Sequence, residues 1–308
     1  MMSSRIRVAT FLALLFLAGN CSAATPSAPQ TISIFLDNTI HFTPADTAKY
    51  DTDSVRARDR GRVIVRTVDL PQISTPVRIT GHLTINPIPK DELEMYDRWD
   101  RAGNVRLEVP GEPDAELIKF VTAYGGRTEY DVDLSNLAPM LSGRHTIKAF
   151  IDTWVTPAWK IDFTMLYTPD TEAVNADWVA GLMYAESVTS DTPGVKGIEV
   201  PIEVPKNMNR VLLHYYVSGH CTDGNDADEF VQKDNVIYVD NDVVFRYRPW
   251  RDDCRQFRAI NPYCRRRTDG SWSCDYSRSG WCPGDIVKPL ELDLTDHLTP
   301  GKHTIRFV

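Results

Sequence analysis

The chain has 308 residues, of which 25% are charged and 42% are hydrophobic. This ordinary globular composition provides for one large domain or two of moderate size. The formal net charge of −8 argues against nucleic acid as a partner, because phosphate binding requires a basic face.

The first residues have the pattern of an export signal. Two arginines precede an apolar run over residues 8–17, and small residues follow up to Ala24. The run is too short to span a bilayer, and we therefore predict a signal peptide over residues 1–24 and an exported protein, periplasmic or secreted, with no membrane span. Cys21 leaves a second interpretation open, because it closes a partial lipoprotein box and could carry a lipid anchor.

Short β-branched or alternating runs fill the rest of the chain. Examples are residues 63–65, 105–107 and 236–239, and glycine and proline separate such runs repeatedly. No segment keeps a helical period for long. The pattern predicts an all-β fold of the sandwich or jelly-roll kind.

The chain also repeats itself. Residues 133–148 match residues 293–306, and residues 97–105 match residues 228–236 further upstream in each half. Because both matches keep the same order, we predict two tandem antiparallel jelly-roll or β-sandwich domains packed side by side.

The two predicted domains cover residues 25–170 and 171–308. The second contains an insertion at about residues 248–283, rich in arginine, tryptophan and cysteine. It also stops at Val308, soon after the matching point, whereas the first domain continues through two more predicted strands. We therefore expect the second domain to close with fewer strands or to be C-terminally truncated, which would leave an exposed sheet edge.

Four cysteines crowd into the insertion. The segment has no CxxC pair and no histidine at ligand spacing, so disulfides are favoured over a zinc site, and we predict no metal and no cofactor. Of the three possible connectivities we predict the nested one, Cys254 with Cys282 and Cys264 with Cys274. Cys221 is left as a free or intermolecular thiol.

Asp100 and Glu229 are the candidate catalytic pair. In the aligned repeats each lies just before a strand led by Asn-Val. If the halves pack with approximate two-fold symmetry, both loops reach one cleft, where neighbouring carboxylates provide an acid and a base. On the pattern alone, ordinary solvated turn carboxylates remain the favoured interpretation.

Four further residues could line such a cleft. Asp152 interrupts an apolar strand, and is therefore either paired or part of a site. Trp99 and Trp154 could be core residues, but tryptophan faces also stack on sugar rings. Arg278 lies between two of the clustered cysteines, which would limit its motion and suit it to hydrogen bonding with carbonyls and hydroxyls.

At these residues the chain resembles the peptide N-glycosidase F family of bacterial secreted enzymes. The matching stretches are residues 97–105, 141–143, 152–154, 228–230 and 277–284. The last of them, an arginine followed by Gly-Trp-Cys-Pro-Gly, is the most specific. The resemblance implies two jelly rolls with the site between them. It also implies hydrolysis of the bond from the asparagine side-chain nitrogen to its carbonyl, which releases the N-glycan and leaves aspartate without a metal.

The resemblance also implies roles for individual residues. Asp100 falls on the main catalytic carboxylate, Glu229 on the second, and Asp152 on a third that is a glutamate in the family. Trp154 and Arg278 match positions that contact the sugar and the peptide.

The chain departs from the family at two places near these residues. His220 directly follows the matching glycine, where the family has a tryptophan, and Ala227 and Val231 replace cysteines that flank the second carboxylate. We predict that Trp99 and His220 also bind substrate, together with Trp154 and Arg278.

The leading hypothesis is therefore a monomeric amidase acting on N-glycosylated proteins or glycopeptides through their chitobiose core. The alternative is a glycoprotein- or carbohydrate-binding protein of the same fold without turnover. A copper monooxygenase ranks far below both, because the seven histidines are scattered and form no His-x-His or His-His pair.

Overall fold

The computed structural model of the chain describes residues 28–45, 48–184, 197–220 and 228–308. The predicted signal peptide, Cys21 and Cys221 lie outside these ranges. Within them, every helix falls short of the length and apolar character needed to cross a membrane.

The strands of the N-terminal half form two antiparallel sheets. Their bounds are β1 (Gln30–Ile40), β2 (Arg56–Arg58), β3 (Val63–Leu70), β4 (Val77–Pro87), β5 (Ala102–Leu107), β6 (Ala115–Val121), β7 (Thr128–Asp133), β8 (Gly143–Ile151) and β9 (Trp159–Pro169). One sheet has the order β1-β9-β4-β7, and the other contains β6-β5-β8-β3-β2.

The core of this half lies between the two sheets. Strand β9 shows why, since Trp159, Ile161, Phe163, Met165 and Tyr167 are all completely buried and alternate with partly exposed residues. Successive side chains of a strand point to opposite faces, so this alternation directs one whole face of β9 into the core. Each such large side chain contributes about 1.5 to 3 kcal/mol of stability by its burial.

The C-terminal half has its own antiparallel sheets and a second hydrophobic core. Its strands are β10 (Ile198–Val204), β11 (Leu212–Tyr215), β12 (Asn235–Val239), β13 (Asp242–Tyr247), β14 (Ile286–Val287), β15 (Leu290–Asp293) and β16 (Gly301–Phe307). The order is β10-β16-β12-β13 in one sheet and β11-β15 in the other. The predicted all-β fold of antiparallel sheets is confirmed. The domain boundary at residue 170 stays a prediction, between the end of β9 and the start of β10.

The internal repeat appears in equivalent hydrogen bonds. The Oδ1 atom of Asp133 accepts from the amide of Ser135 at 2.9 Å, and Oδ1 of Asp293 accepts from the amide of Thr295 at 3.0 Å. The hydroxyl of Ser135 then accepts from the amide of Ile79, and the hydroxyl of Thr295 accepts from the amide of Val211, both at 3.0 Å. The same turn therefore links the same pair of strands in each half.

The repeat is incomplete in the C-terminal half. Strands β5 and β8 correspond to β12 and β16, and the β4–β7 pair corresponds to β11–β15. Among the described residues no strand takes the place of β1 and β9. The second sheet consequently has two strands where the N-terminal sheet has four.

The cysteine-rich insertion and the residues after it pack against the N-terminal half. Strand β14 pairs with β6, with Ile286 opposite Phe120, and extends that sheet to six strands. Asn261 Oδ1 accepts from the amide of Tyr124 at 2.8 Å. At Gly126 a Cβ atom would lie 1.9 Å from the Ile260 carbonyl oxygen, so only glycine permits this approach. The insertion is thus part of the interface between the halves.

Two disulfides hold the insertion together. Cys254 is bonded to Cys282, and Cys264 is bonded to Cys274. The predicted nested connectivity is confirmed.

The two disulfides differ in the length of chain that they enclose. We expect the double substitution Cys254→Ala, Cys282→Ala to lower the free energy of unfolding by about 3.5 kcal/mol, and Cys264→Ala, Cys274→Ala to lower it by about 2.7 kcal/mol, from loop-closure entropy alone. The enclosed separations are 28 and 10 residues. Urea denaturation of both double variants measures the difference. A larger loss for the shorter loop would contradict the expectation.

Candidate functional site

The structure brings Asp100 and Glu229 to the same guanidinium group, that of Arg278. Arg278 Nε donates to Glu229 Oε1 at 3.2 Å, and its Nη2 lies 3.9 Å from Asp100 Oδ2. Asp100 precedes β5 in the N-terminal half, and Glu229 precedes β12 in the C-terminal half. The two carboxylates therefore meet across the interface, as the repeat predicts.

The side chain of Arg278 is only 1% exposed and its position is determined by several partners. Besides Glu229, its Nη1 donates to the Tyr276 carbonyl at 2.8 Å, and its Nη2 donates to the Ser273 carbonyl at 3.0 Å and to the Tyr124 hydroxyl at 3.2 Å. These bonds compensate for the water that a buried guanidinium loses.

Two aromatic rings sandwich the same guanidinium. Its central carbon lies 4.9 Å from the ring centroid of Trp281 and 5.2 Å from that of Phe230. Such cation–π contacts are stronger when water is excluded. They leave Arg278 one orientation, with its Nε toward Glu229.

Backbone contacts place Glu229 relative to the arginine. The amide of Ser279 donates to the Glu229 carbonyl at 2.9 Å, and the amide of Gly219 donates to the Ser279 carbonyl at 3.0 Å. A Cβ atom at Gly219 would lie 2.2 Å from the Asp228 carbonyl oxygen, so the segments approach closely only because this residue is glycine.

The surroundings of the two carboxylates favour acid–base chemistry. The side chain of Asp100 is only 15% exposed, and that of Glu229 is only 16% exposed. Burial raises the pKa of Asp100, although the Arg278 charge and a hydrogen bond from Tyr124 oppose this. Burial and the nearby Asp100 charge likewise raise the pKa of Tyr124 well above its ordinary value. Asp100 thus takes up a proton at a higher pH than an ordinary aspartate.

Asp152 and Trp154 lie in a neighbouring group around Arg62. Asp152 Oδ1 accepts from Arg62 Nη1 at 2.9 Å, and the Arg62 guanidinium lies 5.0 Å from the Trp154 ring centroid. The Asp152 amide donates to the Ala102 carbonyl at 2.9 Å, two residues after Asp100. Asp152 is therefore at the same end of the sheet as Asp100 but has a different cation as its partner.

The predicted aromatic residues remain accessible at this end of the sheet. Trp99 is 50% exposed and Trp154 is 54% exposed. Their roles in substrate binding stay predictions.

His220 packs against Trp281, the ring that also contacts Arg278. Its ring stacks on Trp281 with a centroid separation of 5.2 Å, and its Nε2 lies 2.8 Å from the Ser218 hydroxyl oxygen. Burial lowers the pKa of His220 to about 4. The ring is consequently neutral at ordinary pH and has the flat, partly apolar character of the tryptophan that the family resemblance leads us to expect there.

Sequence reasoning missed two residues that hold this site together, Tyr124 and Asp97. Tyr124 lies three residues after the end of β6 and directly before two glycines, and nothing in its local pattern indicates a site. Asp97 is fully buried and accepts from Arg101 Nε at 3.0 Å, from Thr153 Oγ1 at 2.6 Å and from Trp159 Nε1 at 3.3 Å. It joins the Asp100 loop to the segment that carries Asp152. The sequence feature that could have indicated Asp97 was its position at the start of the repeated block 97–105.

The described residues offer little for a metal. The groups of His, Cys, Asp and Glu close enough to share an ion are Asp253 with Cys254 and Cys282, and Asp275 with Cys264 and Cys274. In both groups the sulfurs are joined in a disulfide and provide no thiolate ligand.

Removal of the Asp97 carboxylate should destabilise the fold. We expect Asp97→Ala to lower the free energy of unfolding by about 3 kcal/mol, because four donors, the Trp99 amide among them, lose a buried acceptor, and Asp97→Asn to cost less. Urea denaturation measures both. Asp131→Ala is the matched control, since that carboxylate is 70% exposed and should change stability by less than about 0.5 kcal/mol. Equal losses at the two positions would contradict this role.

His220 should contribute to acid sensitivity. Its pKa is about 4 when folded and 6.5 when unfolded, so the unfolded chain binds the proton first and stability falls as the pH drops through this window. Between pH 7 and pH 5 we expect a loss of about 2 kcal/mol from this residue, absent in His220→Gln.

His303 provides the opposite control, because Asp240 raises its pKa. Its contribution is present below the unfolded pKa of 6.5 and is lost as the pH rises through the folded value. Between pH 7 and pH 5, His303→Gln should therefore lose more stability than the wild type, whereas His220→Gln should lose less. The same pH dependence in the wild type and in His220→Gln would contradict the assignment.

Known proteins share both the C-terminal sequence pattern and the fold of this chain. The family described as "Peptide-N-glycosidase F, C terminal" matches residues 191–308. No curated protein sequence matches the chain.

The structure of PNGF-II is similar, with 26% identity and a TM-score of 0.79 over 92% of this chain. That comparison covers 61% of PNGF-II, so the chain spans about three fifths of its length.

Two other solved structures share the fold at lower identity. PNGase F, a glycosylasparaginase from Flavobacterium meningosepticum, has 17% identity and a TM-score of 0.61, with 91% of this chain and 88% of that chain covered. A peptide-N(4)-(N-acetyl-beta-D-glucosaminyl) asparagine amidase has 19% identity and a TM-score of 0.60, with 90% and 88% covered. Residues 191–308 of this chain therefore match the C-terminal part of peptide-N-glycosidase F, and the chain shares the fold of these solved structures.

Proposed function

We propose that the cleft at Arg278 hydrolyses the side-chain amide of N-glycosylated asparagine, releasing the N-glycan and leaving aspartate. The observation that carries the proposal is the meeting of Asp100 and Glu229, one from each half, at a single buried guanidinium. The names of the structural relatives, glycosylasparaginase and asparagine amidase, describe the same reaction in those proteins.

Asp100 is the proposed general base and acid. Amide hydrolysis requires water to add to the carbonyl carbon and a proton to reach the leaving nitrogen when the carbon–nitrogen bond breaks. The raised pKa of Asp100 allows its carboxylate to take a proton from water and to give that proton to the glycosylamine nitrogen. The products are a glycosylamine and an aspartate side chain.

Arg278 and Glu229 are proposed to set the charge of the cleft. Arg278 donates to four protein groups and is almost completely buried. We therefore assign it an electrostatic and positioning role, in place of the substrate contact that the family resemblance implies. Its charge offsets part of the cost of ionising Asp100 and orients the Glu229 carboxylate.

The rim of the cleft is proposed to bind the chitobiose core. Trp99 and Trp154 present exposed rings on which sugars stack, and Asp152 with Arg62 offers charged hydrogen-bonding groups beside them. The substrate is then an N-glycosylated protein or glycopeptide. Action as a monomer stays a prediction.

Export from the cytoplasm is part of the same proposal. Disulfides persist in oxidising compartments, and the insertion that carries Arg278 contains two of them. A periplasmic or secreted location also matches the predicted signal peptide.

A binding protein without turnover is the second candidate. The observation that favours it is the pairing of Asp152 with Arg62, which engages the predicted third carboxylate away from Arg278. Such a protein would use the same rim and cleft to hold glycoproteins.

Asp100→Asn should separate the two candidates. With a denatured N-glycoprotein as substrate, we expect the wild type to release free glycan and Asp100→Asn to be slower by at least about 10³-fold, because the proton carrier is lost. Mass spectrometry of the peptide detects the conversion of asparagine to aspartate. The variant should unfold at the same or a higher temperature, since a buried ionisable group is removed.

The pH dependence adds a second measurement. The base acts only when ionised, so the rate should fall as the pH drops through the folded pKa of Asp100, and this limb should lie above the ordinary aspartate value of 3.8. Retained glycoprotein binding by the wild type without glycan release would favour the binding protein and contradict the amidase.

A further inference from the structure

The insertion has a charge opposite to that of the whole protein. Residues 248–283 contain eight arginines and four aspartates, without lysine or glutamate, which is an excess of four positive charges on a chain of net charge −8. A positive region on a negative protein attracts anionic groups to one place.

Half of these arginines have carboxylate partners. The paired ones are Arg248 with Asp234, Arg251 with Asp253 and Asp285, Arg258 with Asp275, and Arg278 with Glu229. Among the residues that the structure describes, the others form no salt bridge and are exposed: Arg255, Arg265, Arg266 and Arg267. Of these, Arg267 lies near Asp269, whose pKa is lowered by hydrogen bonds from Ser271 and by the Arg267 charge. The uncompensated charge is therefore on the outer side of the insertion.

Three of the unpaired arginines lie on a short hairpin. The amide of Ser273 donates to the Arg265 carbonyl at 2.9 Å, and the amide of Arg267 donates to the Ser271 carbonyl at 2.8 Å. The Cys264–Cys274 disulfide closes its base. An isolated hairpin of this size would be marginally stable, so the disulfide holds the charges in place and lowers the entropy cost of binding.

A hollow of about 480 Å³ lies beside this hairpin. Its walls include Arg255, Gln256, Arg258 and Trp272. The volume is within the range of small-ligand sites. Arg258 is neutralised by Asp275 and stacks on Trp272 at 5.0 Å, which leaves Arg255 as the wall residue with uncompensated charge among those described.

The hollow adjoins the segments that hold Arg278 and Tyr124. The carbonyl of Ser273, at the end of the hairpin, accepts from Arg278 Nη2 at 3.0 Å. Asn261, which also lines the hollow, accepts from the amide of Tyr124 at 2.8 Å. The insertion therefore holds the hollow and the Arg278 site next to each other.

We propose that this hollow binds a carboxylate-bearing sugar at the outer end of a glycan whose reducing end lies in the cleft. The proposal rests on the proposed function for the placement of the glycan. Arg255 pairs with the carboxylate, Trp272 provides an apolar surface for the sugar ring, and Gln256 provides donors and acceptors for hydroxyls.

The wall chemistry favours a sugar over an acidic peptide. A peptide carboxylate would require only arginines, whereas the hollow places an indole and an amide beside Arg255. Aromatic and amide groups next to a cation suit a ring that has both hydroxyls and a carboxylate.

Direct binding tests the hollow without turnover. Sialyllactose and lactose, which share the neutral sugars, are titrated by calorimetry into the wild type, Arg255→Gln and the matched control Arg144→Gln. Arg144 is a suitable control because it is exposed and lies at the start of β8, whereas the site residue Asp152 directly follows the opposite end of that strand. We expect sialyllactose to bind about tenfold more tightly than lactose to the wild type and the control, with the preference lost in Arg255→Gln. Equal binding of both sugars, or equal losses in both variants, would overturn the proposal.

Kinetics then separate glycan charge from peptide charge. Three glycopeptides are compared: a neutral glycan, the same glycan ending in sialic acid, and the neutral glycan on a peptide with flanking aspartates. We expect Arg255→Gln to lower the ratio of kcat/KM for the sialylated over the neutral glycan about tenfold. A loss confined to the acidic peptide would assign the hollow to polypeptide and overturn the proposal. Sialyllactose binding without glycan release from any substrate would contradict the proposed function and leave this site standing.

Discussion

The burial of one guanidinium between the two halves is the constraint on which the rest of the structure depends. A charge removed from water costs several kcal/mol unless other groups replace its hydration. For Arg278 these groups come from both sides, with Glu229 in the C-terminal half and Asp100 and Tyr124 in the N-terminal half. Association of the halves and assembly of the site are therefore the same event.

The interface around this arginine is rigid for separate reasons. Strand β14 continues the hydrogen bonding of the N-terminal sheet, and Val121, Trp281 and Val287 form a small buried cluster beside it. This packing excludes water from the carboxylates, which raises the pKa of Asp100 and suits it to proton transfer. The same exclusion of water thus stabilises the interface and raises the pKa of Asp100.

The repeated halves and the insertion contribute different residues to the site. The repeated halves supply equivalent loops ahead of β5 and β12, and each loop places one carboxylate near the Arg278 guanidinium. The insertion has no counterpart in the first half and supplies Arg278, the disulfides and the basic hairpin. Carboxylates alone would repel each other, and the cation from the insertion permits them to share one cleft.

Local pattern determined the strands and the repeat, because alternation, turn residues and repeated blocks depend on neighbouring positions. It placed Asp100 and Glu229 at equivalent points of the repeat, but by itself it favoured solvated turn carboxylates there. Only the tertiary structure decided which cation holds each carboxylate: Arg62 pairs with Asp152 across 90 residues, and Arg278 pairs with Glu229 across 49. It alone also revealed the buried acceptor Asp97. Desolvation and ion pairing depend on groups that are distant in the chain and adjacent only after folding, so no local pattern contains them.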